Sequence, residues 1–363
     1  MLKLLFVEDE PDVVEPIQHL IHRTQRSSEF EIKITEFQDA ESEIVSFSPD
    51  VVILDLLVRG ASAEPENQGQ HTLDFIWNTH FCPVVVYATE PAMCSDEYRK
   101  HPFVATVKKG SRSPHALLKE LDAFRPQIDA LKMAEGLVRR SFAEAMREVA
   151  PYAFEAFSDA ARRTQTITRS GRRRLAALMD EAATDGAPLE SWEQYLFPPV
   201  RDDIQLGDVL REKTKSGDDP TSFRVVLTPS CDLVQGATRR PKVTEVLVSK
   251  CCSIRTGLDR AGLKGVASAK LKNTVLPSGY FGAFIPFPRL KDKIPPMVAD
   301  LRDLQLIDFK EIGPEKRFVR VASVDSPFRE LVSWAYLQTA CRPGLPDRNM
   351  ESWGEEIMQD VKQ

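Results

Sequence analysis

Histidine is scarce in this chain and unevenly placed. The six histidines of 363 residues are His19, His22, His71, His80, His101 and His115, and none lies beyond residue 115. The remaining two-thirds therefore cannot supply a Ser-His-Asp or Cys-His couple, a histidine metal site or a histidine general base. Chemistry there has to use Asp, Glu, Lys, Cys, Ser or Tyr. Cysteine is also sparse, at six residues with no Cys-x-x-Cys repeat, which suits reduced thiols in a cytoplasmic protein. No apolar run approaches the ~18 residues of a membrane span. The start, Met1-Leu2-Lys3-Leu4-Leu5, is too short and too soon followed by acids to act as a signal peptide. No Gly-x-x-x-x-Gly-Lys-Ser/Thr run marks a nucleotide phosphate loop. Net charge is −6, so no global excess of base argues for nucleic acid.

What is present has an ordinary globular composition and a length that suits two or three domains. Residues 1–127 alternate apolar strands with amphipathic helices. Val51 to Leu57 is a continuous apolar run, as expected for a central strand covered on both faces. Pro11 suits a helix start, and Ser113-Pro114-His115 caps the last helix of the segment. This βαβ rhythm predicts an α/β fold, a doubly wound five-stranded parallel sheet. Residues 128–186 read as a helical connector interrupted only at Pro151. Leu131, Ala134, Leu137, Val138, Phe142, Ala145, Met146 and Val149 form its apolar stripe, either the inside of a helical subdomain or a dimer seam. Arg169 to Arg174 is a basic cluster, either a solvated helix face or a contact for nucleic acid or an acidic partner. Residues 187–363 switch to strand and turn signals and predict an α+β domain with a β-rich core. Expected strands include Phe223–Leu227, Val243–Val248, Gly279–Pro286 and Phe318–Val321, with a helix from Ser326 to Thr339.

The ends of the N-terminal strands carry the chemistry. The first apolar run ends at Glu8-Asp9-Glu10, the third at Asp55, the fourth at Ala88-Thr89 and the fifth at Lys108-Lys109-Gly110. In an open parallel sheet, ligands sit at the carboxyl ends of the strands. Acids and a lysine gathered there suit a hard divalent cation and a phosphoryl group.

In this order of elements, residues 1–127 resemble the receiver domain of two-component response regulators. The resemblance implies that Asp55 is the phosphoacceptor, taking the phosphoryl group from a sensor histidine kinase or a phosphotransfer protein. It implies that Asp9, Asp55 and the Leu57 backbone carbonyl hold Mg²⁺, with Glu8 acting through water. Lys109, which precedes a glycine as that family's lysine precedes Gly or Pro, would pair with Asp55 and then with phosphate. Two positions depart from the family. The hydroxyl residue at the end of the fourth strand aligns with Ala88, leaving Thr89 one residue late, and the aromatic switch position of the fifth strand is Thr106.

The C-terminal part resembles an uncharacterised bacterial domain with a Thr-x-x-Cys-Asp-Leu centre, here Thr228 to Leu233. Gly207-Asp208-Val209 before a Val-rich strand also resembles the SH3-like barrel of MazF-type toxins. Cys231 and Asp232 are the motif's candidate functional pair, although a neighbouring acid raises a thiol's pKa and works against nucleophilicity. Cys231, Cys251, Cys252 and Cys341 are poorly spaced for zinc, because adjacent strand residues point to opposite faces. Asp232 with Glu245 suggests a nuclease carboxylate pair, but the lysine expected two residues on is Leu247. The expected protein is a phosphorelay response regulator controlling an output domain, with a homodimer as one assembly. A nucleic-acid-acting, RNase-like effector and a protein-interaction scaffold are the other readings.

Overall fold

The computed structural model describes residues 1–57, 68–182, 188–200, 202–235, 240–341, 346 and 348–361. The chain divides into two compact units, Met1–Gly186 and Ala187–Gln363.

In the first unit, β1 (Leu2–Val7), β2 (Phe30–Thr35), β3 (Val51–Leu54), β4 (Val84–Ala88) and β5 (Val104–Lys108) form one parallel sheet. Their order is β2-β1-β3-β4-β5, the flavodoxin-like doubly wound arrangement. Alternating side chains of the central strands β1, β3 and β4 enter two cores. Leu4, Phe6 and Ile53 pack against α1 (Glu15–Arg23), and Leu5, Val7, Val52 and Leu54 pack against α2 (Ala40–Phe47) and α3 (Gln68–Thr79). Both faces of β1, β3 and β4 are covered, which is why β3 and β4 read as unbroken apolar runs rather than as alternation. After the short α4 (Asp96–Arg99), α5 (Ser113–Ala123) supplies Leu117 and Leu121 to the α1 side.

Two long helices follow, α6 (Arg125–Ala156) and α7 (Ala160–Ala182). Pro151, expected to interrupt the helix, lies inside α6, and the break comes instead at Phe157, whose backbone is extended. A proline removes one backbone hydrogen bond, which a long exposed helix can absorb near its end. Ion pairs tie the start of α6 to the sheet domain: Lys132 reaches Asp50 at 2.7 Å, and Arg125 pairs with Glu29. The apolar stripe is only partly used. Ala145 is fully buried, whereas Leu137 and Phe142 are 46% and 51% exposed.

The second unit is an antiparallel sheet of seven strands. Its strands are β6 (Tyr195–Leu196), β7 (Asp208–Glu212), β8 (Phe223–Val226), β9 (Glu245–Cys252), β10 (Phe284–Phe287), β11 (Met297–Asp308) and β12 (Phe318–Val324). The order is β10-β11-β9-β8-β7-β12-β6. A one-turn helix, α8 (Ser230–Leu233), follows β8, and α9 (Ile254–Arg260) and α10 (Ser268–Lys270) follow β9. The longer α11 (Phe328–Ala340) packs Val332 and Ala335 onto one face of the sheet, and α12 (Met350–Val361) closes the chain.

Three expectations change here. The strand expected from Gly279 begins at Phe284, because Gly279 and Gly282 both take left-handed backbone (φ +72° and +59°) that a strand ladder does not accommodate. The helix expected from Ser326 begins at Phe328, where the Asp325 carbonyl accepts the Arg329 N–H at 2.8 Å. The longest strand, β11, was not anticipated at all. Its register shifts between Asp300 and Leu304, so the alternation that identifies a strand is broken in its middle.

Candidate functional site at the strand ends of the parallel sheet

Each site residue is placed by the strand it follows. Glu8 leaves β1 with its N–H on the Thr35 carbonyl (3.0 Å), and Asp55 leaves β3 with its N–H on the Val7 carbonyl (3.1 Å). Lys109 leaves β5 with its N–H on the Ala88 carbonyl (2.9 Å). The three side chains then converge. Lys109 Nζ donates to Glu8 Oε2 at 2.6 Å and to Asp55 Oδ2 at 2.7 Å. The other Asp55 oxygen, Oδ1, accepts the Leu56 N–H at 2.7 Å, and Glu8 Oε1 accepts the Glu10 N–H at 3.3 Å. Of the two adjacent lysines, Lys108 is exposed and Lys109 occupies the site.

Charge here is out of balance. Glu8 is 5% exposed, and one ammonium serves both it and Asp55. Burial pushes the Glu8 carboxyl above its ordinary range, and the Asp55 charge adds to this, although Lys109 pulls the other way. Burial opposes the charged form of Lys109, but Asp55 and Glu8 together outweigh it and hold the ammonium above its ordinary value. Asp9, half-buried after Glu8, has no ion pair among the described residues. Two carboxylates thus share one lysine at the carboxyl ends of the strands, with Asp9 next along the chain from Glu8.

That surplus is the electrostatic condition for a divalent cation. The donors are hard oxygens, as Mg²⁺ prefers. No group of three or more His, Cys, Asp or Glu side chains forms a ready-made cage among the described residues. Mg²⁺ does not need one, since it usually takes one or two carboxylates and keeps several waters. In kind, Asp9, Asp55 and Glu8 fit the ion. Leu57 follows the buried Leu56, with its side chain partly packed on the core.

The remaining sequence candidates divide. Ala88 is the buried last residue of β4, paired in regular register with Lys108, and Thr89 is exposed beyond it. Thr106 is exposed on β5. Most of the expected loop from Arg59 to Gln70 lies outside the described residues. In the second unit, Cys231 is exposed, with Sγ 3.7 Å from Asp232 Oδ1, and Asp232 pairs with Lys242 at 2.7 Å. Thr228 of the same motif accepts the Leu247 N–H at 2.7 Å, so part of the motif fastens a turn to β9. Cys251 and Cys252 are buried on opposite faces of β9.

Two supporting residues escaped the sequence reading. Gly69, in the first turn of α3, donates its N–H to the Leu56 carbonyl at 3.2 Å. A Cβ there would lie 2.4 Å from the Asp55 carbonyl oxygen and 2.6 Å from Leu56 Cα. Glycine lets α3 close against the Asp55–Leu56 turn. Tyr87, buried on β4, bonds Ser113 Oγ at 2.5 Å beneath Lys109, whose Nζ is 5.8 Å from the ring centre.

No family model matches the chain, and no curated protein matches it. Solved structures give partial likenesses. The signal receiver domain of a Luxo repressor protein from Vibrio parahaemolyticus is 17% identical, covering 37% of this chain and 97% of its own, with a TM-score of 0.28. A two component transcriptional regulator AraC from Clostridium phytofermentans ISDg is also 17% identical, covering 37% and 99%, with a TM-score of 0.28. A de novo designed Rossmann 2x3 fold protein is 11% identical, covering 34% and 91%, with a TM-score of 0.27. At such scores the reading of this chain rests on its own sheet order and site. No helix among the described residues is long and apolar enough to cross a membrane.

Proposed function

We propose that the first unit is the receiver of a phosphorelay, with Asp55 as phosphoacceptor, and that its phosphorylation controls the second unit. The observation that carries this is the shared ammonium: Lys109 bridges Glu8 and Asp55 at 2.6 and 2.7 Å at the carboxyl ends of parallel strands. Asp55 attacks the phosphorus of a donor phosphohistidine. The new bond is an acyl phosphate, the P–N bond breaks, and the imidazole departs with the electron pair and takes up a proton. Lys109 holds Asp55 in place before transfer, and its ammonium, protonated throughout, is within reach of the transferred oxygens afterwards. Asp9, Asp55, the Leu57 carbonyl and, through water, Glu8 would hold Mg²⁺, which would neutralise charge on the phosphoryl oxygens.

Ala88 offers the phosphate no hydroxyl, so one hydrogen bond to a charged group, worth about 1.5–3 kcal/mol, is missing from that position. With Thr106 in place of an aromatic residue on β5, the phosphate is read by another route than a tyrosine. The partners this chemistry calls for are a sensor histidine kinase or a phosphotransfer protein.

The test is labelling of the full chain with Mg²⁺ and a small acyl-phosphate donor. Wild type should acquire one base-labile phosphoryl group and Asp55→Ala none. Equal labelling of the two would remove Asp55 from the role.

A further inference from the structure

Helix α7 carries six arginines and no carboxylate between Ala160 and Met179. Its neighbour α6 is different. There Arg139 pairs with Glu135 at 2.7 Å, Arg147 with Glu148 at 3.1 Å and Lys132 with Asp50 at 2.7 Å. Pairing of this kind, one turn along the helix as for Arg139 or with a neighbouring element as for Lys132, is how a solvated helix usually disposes of its charge. On α7, Arg163 turns back, with its guanidinium 4.6 Å from the Phe154 ring centre and Nε on the Phe157 carbonyl. Arg174 is exposed on the flank toward α6, where it lines a cavity with Glu148 and Tyr152. Arg162, Arg169, Arg172 and Arg173 are all exposed and have no ion pair among the described residues. At 100° per residue these four fall within about 100° of one face and run for about 16 Å along the axis.

The opposite side of α7 is the packed one. Gly171 is buried, and a Cβ there would lie 2.1 Å from Met146 Cε of α6. The arginine face therefore points away from the hairpin. Between Arg162 and Arg173 that face shows Gln165 and no large apolar side chain. A protein partner would need apolar anchors there, since buried aromatic and aliphatic contacts carry most protein–protein affinity. A polyanion needs only the charges.

We infer that α7 is a docking helix for double-stranded DNA, held mainly through the phosphate backbone. Guanidinium groups suit bidentate contact with phosphate. An α-helix is about 10–12 Å across, which the major groove of B-DNA, about 12 Å wide, admits. The deep, narrow major groove of duplex RNA does not. The inference is independent of Asp55 and goes beyond the receiver reading.

The experiment is anisotropy of labelled 20-base-pair DNA and RNA duplexes of arbitrary sequence against the full chain, over a range of salt. Wild type should bind the DNA at low salt, with affinity falling steeply as salt rises. Arg169→Gln, Arg172→Gln and Arg173→Gln combined should lower the slope of log affinity on log salt by about 2.7, from 0.9 per lost phosphate contact. The same three positions changed to Lys should keep binding within a few-fold, with unaltered circular dichroism in both variants. Three results would overturn the inference: no DNA binding at low salt, equal binding by the Gln variant, or preference for the RNA duplex or an acidic polyglutamate peptide over DNA.

Discussion

Two glutamates, one in each unit, are buried almost equally, and they behave in opposite ways. Glu8 is 5% exposed and Glu212 is 4% exposed. Glu212 is surrounded by cations: Arg317 at 2.6 Å, Lys215 at 3.2 Å and Arg224 at 3.6 Å. Burial works to raise its pKa, but Arg317 and Lys215 outweigh that and the carboxyl ends below its ordinary range. Glu8 has half a lysine, and burial wins. The lesson is about surplus. A buried acid with its charge fully answered belongs to the architecture. On the proposed reading, acids left short of cations at the carboxyl ends of parallel strands are where a positive ligand would sit.

Removing Lys109 should break the comparison most severely. Lys109→Ala leaves Glu8 and Asp55 facing each other without a cation, at a cost of about 3 kcal/mol to the first unit. Urea unfolding should show this, and phosphoryl labelling should fall as well. Glu212→Ala should cost the second unit about 2 kcal/mol, because Arg317 is half exposed and recovers water. Labelling of Asp55 should not change in that variant. If Glu212→Ala abolished labelling, the division between structural and functional acids would fail.

Gly69→Ala comes next. Its Cβ would meet the backbone of Asp55 and Leu56, so α3 must withdraw from that turn. The expected cost is about 1–2 kcal/mol, with slower labelling at unchanged donor concentration. A variant that folds with wild-type stability and labels at the wild-type rate would show that the close approach is dispensable.

The smallest effect concerns pH, and its sign differs between the units. Glu8 has a raised folded pKa, so its contribution is fully present below the ordinary value of 4.5 and is lost as pH rises through the folded value. Glu212 has a lowered one, so its contribution is present above 4.5 and is lost as pH falls through the folded value. Glu8→Gln should therefore leave the first unit at least as stable near neutral pH and remove part of its stabilisation by mild acid. Glu212→Gln should instead flatten the acid loss of the second unit. Thermal scans from pH 4 to 7 on each variant would read both, and identical pH profiles would contradict the contrast.

The same contrast governs how much was legible beforehand. The parallel sheet was readable because Val51–Leu54 and Val84–Ala88 are covered on both faces and so carry unbroken apolar runs. Its site was readable because Glu8, Asp55 and Lys109 each stand one residue past a strand, where the chain leaves the core. Gly69 was missed because its need arises from the Asp55 backbone, fourteen positions away and invisible to local pattern. In the antiparallel unit the signals are local and easily broken. Asp300, Arg302 and Asp303 interrupt β11 at its register shift, with Asp300 buried against Arg260 at 3.0 Å. Charge that pairs with a neighbouring helix or strand, as Asp300 does with Arg260 of α9 and Asp303 with Lys250 of β9, looks in sequence like a loop. Pro151 misled in the other direction, since a rule about hydrogen bonds does not say where a long exposed helix must end.

Magnesium binding tests the central claim most directly. Titrating Mg²⁺ into the full chain by calorimetry should show a single site that is lost in Asp9→Asn and in Asp55→Asn, while Glu212→Gln binds as wild type does. Absence of a Mg²⁺ site in the wild-type chain, or the same site surviving both aspartate substitutions, would contradict the view that the surplus acids at the ends of β1 and β3 await a cation.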